Sequence, residues 1–487
     1  MDLSWLLLHS TVALDVVGLA VRVVAVVVVP VNRRPTSAMA WLMAIFLIPY
    51  LGIIAFLLIG NPKLPAHRRR KQREVNRLIL ERTKGMGDVP EDDPGPPWLQ
   101  SVVRLNRNLG AMPLVTGNHA ALIEDYQESL DAMTAAVDGA RSYVHCEFYI
   151  LSSDATTAPF LDALERAVQR GVGVKVLFDH IGSWRTPKYR RTLRHLRRIG
   201  VEWHPMLPVQ PYRLRYQRPD LRNHRKLLVV DGDVAFVGSQ NLIDRSYNKR
   251  ANRRRGLQWQ ELMVRFEGPV VGGVNALFVT DWFSETDEAL EGEIGPVDPR
   301  QALTSLECQV VPSGPGFDGE NNLKLFNALL YNAAHRISIT SPYFVPDESL
   351  LEAVTTAAQR GLDVELFVSE IGDQPLVFHA QRSYYEALLR AGVRIYQYPA
   401  PYILHAKHLT IDDEISVIGS SNMDMRSFGL NMELSVLVSG RTFCDELRAV
   451  EDHYRSVSSE LTLDAHQGRN PVSKVVDNLA RLTSALQ

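Results

Sequence analysis

Two stretches of the chain bring together residue types able to act on a phosphate ester: "HRKLLVVDGDVAFVGSQN" at 224–241 and "HAKHLTIDDEISVIGSSN" at 405–422. Each has the form HxKxxxxD followed by six residues and GSxN. The first supplies His224, Lys226, Asp231, Ser239 and Asn241; the second supplies His405, Lys407, Asp412, Ser420 and Asn422. Positions i and i+2 of a strand share a face, so each His and Lys are expected to project into one pocket. Two ammonium groups around a phosphodiester would stabilise the charge that builds on its equatorial oxygens during in-line displacement. One imidazole could attack phosphorus and form a phosphohistidine, while the other protonates the leaving alkoxide and then deprotonates the incoming alcohol. These roles need opposite sides of phosphorus, and a duplicated motif related by a pseudo-two-fold axis would supply both. Asp231 and Asp412 stand seven residues beyond their histidines, where "VVDGDV" and "TIDDEI" read as turns; they are expected to brace the motif rather than attack substrate. The scheme calls for no cofactor and no metal, and no carboxylate cluster suggests one.

The elements that must position these motifs repeat as well. An amphipathic stretch leads into "YVHCEFYIL", helix "APFLDALERAVQRG", strand "VGVKVLFD" and helix "YRRTLRHLRRIG" before the first motif. "RISITSPYFVPD", "ESLLEAVTTAAQRG", "LDVELFVSE" and "RSYYEALLRAG" precede the second in the same order. The helical segments space apolar residues at i, i+3 and i+4 and end at Gly171, Gly200, Gly361 and Gly392. Buried strands alternating with helices predict an α/β fold of two pseudo-symmetric halves, each with a central mixed sheet flanked by helices.

The whole chain has 487 residues, 46% hydrophobic and 22% charged, with formal charge −2, enough for two or three domains and not basic overall. Three scattered cysteines form no disulfide framework and no zinc spacing, and read as core thiols of a reducing compartment. "SWLLLHSTVALDVVGLAVRVVAVVVVPV" and "AMAWLMAIFLIPYLGIIAFLLIG" each exceed the about 20 residues that cross a bilayer, predicting a two-helix transmembrane hairpin. Asp2 and the lack of a basic n-region argue against a cleaved signal. Trp41 and Tyr50 flank the second span as interfacial aromatics, and Asp15 and Arg22 lie on one face of the first, placed to pair or to meet polar lipid groups. Basic residues from Lys63 to Arg73 put both ends of the hairpin, and the catalytic part, on the cytoplasmic side of the cell membrane. The expected organisation is a hairpin over 1–60, a basic juxtamembrane helix and linker over 61–110, one half over 111–295 and the other over 296–487. Arginines and lysines crowd 185–218 and 245–255 but not the matching part of the second half, which marks a surface that gathers anionic lipid.

Both motifs closely resemble the HKD motifs of the phospholipase D superfamily. Together with "NRRPTSAMAWLMAIFLIPYLGIIAFLLIGNPK", "SPYFVPDESLLEAV" and "GSSNMDMRSFGLNMEL", the chain is similar over essentially its whole length to the bacterial cardiolipin synthases. The resemblance implies a phospholipase D-like fold and transfer of a phosphatidyl group from one phosphatidylglycerol to the hydroxyl of another, releasing glycerol. It implies His224 as nucleophile and His405 as general acid and base. Lys226, Lys407, Asn241 and Asn422 would bind the phosphoryl oxygens, helped by Ser239 and Ser420. It also implies a later acid in each half that orients a histidine. Glu261 in "QWQELMV" and Glu433 in "NMELSVL" occupy those places, and Glu261 stands where the family often has Asp. The implied partners are phosphatidylglycerol, other anionic phospholipids and the membrane. A phospholipase D with another acceptor, water included, would use the same residues, as would a superfamily nuclease. The apolar hairpin counts against nucleic acid as a partner, and two intact motifs count against a non-catalytic scaffold.

Overall fold

The structure, a computed structural model, describes residues 3–31, 33–90, 95–210, 215–290 and 306–484, excepting the side chains of 3–15 and 215. Asp2, the side chains of Asp15 and Arg215, all of Arg213 and the expected boundary at 295/296 lie outside the described residues. The chain divides into two compact units, 1–63 and 64–487.

The first unit contains helices Leu3–Val28, Pro35–Leu47 and Pro49–Ile59. Ala25, Val29, Ala38 and Ile45 form its small core, and Trp41 packs edge-on against Phe56. Sequence patterning predicts one continuous second span, but the chain breaks at Ile48, where φ is −134° and ψ is 73°. Pro49 has no N–H to continue the ladder, and its ring pushes the preceding residue out of the helical region. Among the described residues no helix is long and apolar enough to cross a membrane, so the two-span hairpin expected over 1–60 is not found there. The outer faces of these helices are nonetheless apolar: Leu19, Val23, Val27, Leu47, Leu51 and Leu57 are all exposed.

The second unit begins with the basic helix Ala66–Arg82. It is held by a bidentate pair from Arg68 to Glu285, at 2.8 and 2.9 Å, and by Lys71 donating to the Phe283 carbonyl at 2.7 Å. Its main sheet contains strands β1 (Leu114–Ile123), β2 (Tyr143–Phe148), β3 (Gly173–Asp179), β4 (Glu202–Met206), β5 (Lys226–Val230), β6 (Val234–Gly238) and β7 (Met263–Glu267). It continues with β8 (Leu306–Ser313), β9 (Arg336–Thr340), β10 (Asp363–Ser369), β11 (Arg394–Tyr398), β12 (His408–Ile411), β13 (Ile415–Gly419), β14 (Asn431–Ser439) and β15 (Ser459–Leu461). The spatial order is β15-β11-β10-β9-β12-β13-β14-β8-β1-β7-β6-β5-β2-β3-β4. Outward from the antiparallel β1–β8 pair, the sequence β7-β6-β5-β2-β3-β4 mirrors β14-β13-β12-β9-β10-β11. In each half the three outermost of these strands are parallel and the rest antiparallel. The expected two-half α/β fold with mixed sheets is therefore present, fused into one sheet about its centre.

The helices read from apolar spacing appear as Ala158–Gln169, Tyr189–Ile199, Glu348–Gln359 and Tyr385–Ala391. The four glycines that close them take φ between 79° and 100°, a left-handed conformation in which a Cβ would be strained. Helix Val270–Thr286 is buried along most of its length, with Val271, Val274, Phe278 and Trp282 in the core against the sheet. Its few polar residues are paired, Asn275 with His145 and Asp281 with Arg225, which lets it occupy such an interior position.

Candidate active site

His224 lies two residues before β5 and His405 three before β12, each on an arm that leaves its own half. Arg222 and Asn223 pair in parallel with Asn431 and Met432, and the His224 amide donates to the Met432 carbonyl at 2.8 Å. Tyr402–Leu404 pairs in parallel with Gln258–Gln260, and the His405 amide donates to the Gln260 carbonyl at 2.7 Å. The next residues in register are Glu433 and Glu261. The orienting contacts therefore cross between halves. His224 Nδ1 lies 3.0 and 3.1 Å from the two Glu433 carboxylate oxygens, and His405 Nδ1 lies 2.9 and 2.7 Å from those of Glu261. A carboxylate on Nδ1 assigns the proton to that nitrogen and leaves the Nε2 lone pair for chemistry.

Lys226 and Lys407 are both buried, and each Nζ donates to the carbonyl of its own histidine. Burial depresses Lys226 well below the usual lysine range and brings Lys407 down to about 8, even though Glu433 and Glu261 oppose the shift. Burial also lowers both imidazoles to about 4, and the lysines of both halves push in the same direction. The cross-half influence of Lys407 on His224 and of Lys226 on His405 puts the four groups in one electrostatic cluster. Both glutamates stay below the usual carboxylate range: burial opposes their charge, but the facing histidines and the lysines outweigh it. At neutral pH the site thus holds two carboxylates, two neutral imidazoles and cationic Lys407.

The serines of GSxN serve the glutamates. Ser420 donates to Glu433 at 2.6 Å, joined by Ser427 at 2.9 Å, while Ser239 and Tyr247 hydrogen-bond Glu261. Gly238 and Gly419 allow this, because a Cβ on either would strike the carbonyl of Leu262 or Leu434. The asparagines differ. Asn241 is engaged by the Ile150 amide at 3.0 Å and donates to the Tyr247 hydroxyl at 2.8 Å, whereas the buried Asn422 Oδ1 has no protein partner. Two residues that motif spacing did not single out complete the walls. Tyr149 stands edge-on to His224 at 4.9 Å between ring centroids, and Tyr343 stands edge-on to His405 at 6.4 Å. The repeat could have pointed to them, since Tyr149 follows β2 and Tyr343 follows β9, the second strand of each half.

Asp231 and Asp412 lie at the far ends of their strands, remote from the histidines. Asp231 accepts the amides of Arg141, Ser142 and Tyr143 at 2.8–2.9 Å, and Asp412 accepts those of Ala334, His335 and Arg336 at 2.7–2.9 Å. Both have positive φ, 55° and 49°, where Asp is tolerated better than most residues. Asp231→Ala and Asp412→Ala should each cost about 2 kcal/mol through lost charge-assisted hydrogen bonds, read as a lower urea midpoint. Turnover of the folded fraction should stay near wild type.

Among the described residues, Asp162, Glu165 and His195 bring three possible metal-ligand atoms within 4.8 Å of one another. Arg198 fills that cluster, bonding both His195 and Glu165, and no motif residue belongs to it.

Comparison with known proteins agrees with this architecture. The family pattern for "Cardiolipin synthase, PLD-like domain" matches residues 133–267 and 326–454, and the "Phospholipase D-nuclease N-terminal" pattern matches 19–61. Cardiolipin synthase A of Proteus mirabilis is 32% identical over 93% of this chain and 94% of its own length. Cardiolipin synthase of Halalkalibacterium halodurans is 31% identical over 96% of this chain and 93% of its own. Among solved structures, phosphatidylserine synthase of Haemophilus influenzae shares the fold with a TM-score of 0.59 at 16% identity, covering 79% of this chain and 98% of that one.

Proposed function

This chain belongs to the cardiolipin synthase family of phospholipase D-type phosphatidyltransferases, and from that premise we propose that it joins two phosphatidylglycerol molecules into cardiolipin and glycerol through a phosphohistidine. The observation that carries the reading is the pair of crossed His–Glu contacts with a buried lysine beside each histidine.

His224 Nε2 attacks phosphorus of the first lipid, forming the P–N bond as the P–O bond to its headgroup glycerol breaks. His405, protonated at Nε2, gives its proton to the departing alkoxide, which leaves as glycerol. The incoming phosphodiester adds a further negative charge beside the ring, and this favours the imidazolium His405 needs for the step. His405, now neutral, takes the proton from a headgroup hydroxyl of the second phosphatidylglycerol; that oxygen attacks phosphorus and displaces neutral His224. The same added charge favours protonation of Lys226, so Lys226 and Lys407 both balance the charge on the equatorial oxygens, toward which the Asn422 amide N–H can donate. Glu433 and Glu261 hold the rings and stabilise each imidazolium as it forms. Near the His405 arm, a small cavity is lined by Tyr343, Asp373, Gln374, Gln381 and Ile403.

The apolar outer faces of residues 1–63 support membrane attachment through this unit, with the catalytic unit on the cytoplasmic face by the distribution of basic residues. Protein in phosphatidylglycerol micelles, with chelator and no added metal, should form cardiolipin and glycerol in equal amounts. Phosphatidic acid as the sole product would replace this reading with hydrolysis.

The pH dependence follows from the site charges. On the acid side, kcat/KM should fall as pH drops through about 4, where the attacking imidazole becomes protonated. Above that pH His405 sheds the proton it must donate and the rate declines, and it should fall more steeply as pH rises through about 8, where Lys407 loses its charge. A stopped-assay pH profile checks both limbs, and Lys407→Arg, whose charge persists, should remove the steeper alkaline fall.

A further inference from the structure

The last helix, Pro471–Arg481, is docked the wrong way round for a helix in water. Its acid faces inward: the buried Asp477 accepts from Arg469 at 2.7 Å, faces His379 Nδ1 at 2.7 Å and pairs with Arg382 at 3.7 Å. Ala480 is buried beside it. Its apolar residues face outward: Val472, Val475, Val476 and Leu479 recur at i, i+3, i+4 and i+7, and Leu482 continues the stripe past the helix end. Val472 is 69% exposed, Leu479 58% and Leu482 80%. Burying an acid in an ion network while turning a contiguous aliphatic stripe to water is unfavourable unless something apolar covers the stripe.

Its position relates the stripe to the catalytic cleft. The helix packs on Pro375–Arg382, whose Phe378 and Gln381 line the cavity beside Tyr343 and Ile403, and whose Leu376 is itself exposed. The topologically equivalent place in the other half, after β3, is taken by helix His180–Trp184. It ends in the exposed Trp184, and its Ser183 hydroxyl accepts the Leu151 amide, two residues beyond Tyr149. Apolar groups therefore rim the histidine pair from both halves. The surroundings are cationic: Lys474 and Arg481 on the last helix, and exposed Arg185, Lys188 and Arg190 beside Trp184. An aliphatic and tryptophan rim among basic side chains is the chemistry of an anionic bilayer surface.

We infer that the C-terminal helix inserts its Val472–Leu482 stripe into the anionic lipid surface and thereby seats the mouth of the active site at the headgroup level. The inference rests on the proposed lipid-transferring function and adds the face through which lipid enters.

The test uses the full chain. Cys146, Cys308 and Cys444 are buried, so a bimane label on Val475→Cys reports that site. In phosphatidylglycerol/phosphatidylcholine vesicles, spin-labelled lipid should quench it several-fold more strongly than aqueous iodide. Val475→Asp/Leu479→Asp should lower turnover on vesicles about tenfold or more, as expected for charges forced into an interface, with little loss on monomeric short-chain phosphatidylglycerol. Quenching by iodide but not by lipid would overturn the inference, and so would disulfide cross-linking of Val475→Cys between copies, which would make the stripe a contact with a second chain. Equal loss on both substrates would likewise overturn it. Quenching does not depend on the product formed, so a phosphatidic acid product would sink the proposed reaction and leave the docking face standing.

Discussion

Replacing either His224 or His405 by Ala is expected to lower turnover by roughly 10⁴-fold or more, the scale seen when a covalent nucleophile or its acid–base partner is removed. Neither loss is a folding effect on this reading, because each imidazole lies on an arm at the cleft and not in an apolar core cluster. The two variants should differ in what they trap. With phosphorus-labelled phosphatidylglycerol, label should remain on the His405→Ala protein, where His224 can still attack but no base activates the second alcohol. The His224→Ala protein should stay unlabelled. Label on His224→Ala alone would exchange the two roles, and label on neither would remove the covalent intermediate from the mechanism.

Glu433→Gln and Glu261→Gln are expected to lower kcat by roughly 10²- to 10⁴-fold each, the range for losing the carboxylate that orients and charges a catalytic imidazole. The crossing of the contacts makes the two losses distinguishable. Glu433 serves His224, so Glu433→Gln should slow formation of the phosphoenzyme. Glu261 serves His405, so Glu261→Gln should slow its breakdown, and the labelled intermediate should build up in the steady state. Quenched-flow measurement of the two phases decides the matter. The opposite assignment would exchange the roles of the two histidines, since the register of the arms fixes which glutamate meets which ring. Both glutamines keep a hydrogen-bond acceptor toward Nδ1, so thermal stability should change far less than rate.

Much of the site could be read from residue types and spacing. His224, Lys226 and Asp231 recur as His405, Lys407 and Asp412 because each half needs the same local device: a strand that presents a base and a cation, and a turn that ties it to the sheet. The turn role of the aspartates followed from their place between two alternating apolar runs. The helix-ending glycines at 171, 200, 361 and 392 were equally legible, since a positive φ after a helix is a local demand. The serines of GSxN were not. Their spacing suggested a phosphate cradle, but their hydroxyls reach the glutamates, a contact made by folding β13 and β14 side by side.

What the sequence determined by itself was therefore what depends on a few neighbouring residues: the strand and helix periods, the duplication, the residue types of the two motifs and the brace. The tertiary structure alone decided which glutamate meets which histidine, because Asn223 pairs with Met432 and Leu404 with Gln260 across more than a hundred residues. It likewise decided how the last helix lies. The stripe from Val472 to Leu482 would pack inward in any local reading, but the basic groups His379, Arg382 and Arg469 gather around Asp477 and turn the valines out. Backbone register and buried ion pairing act between segments far apart in the chain. Apart from Arg469, eight residues before Asp477, no window of sequence contains both partners.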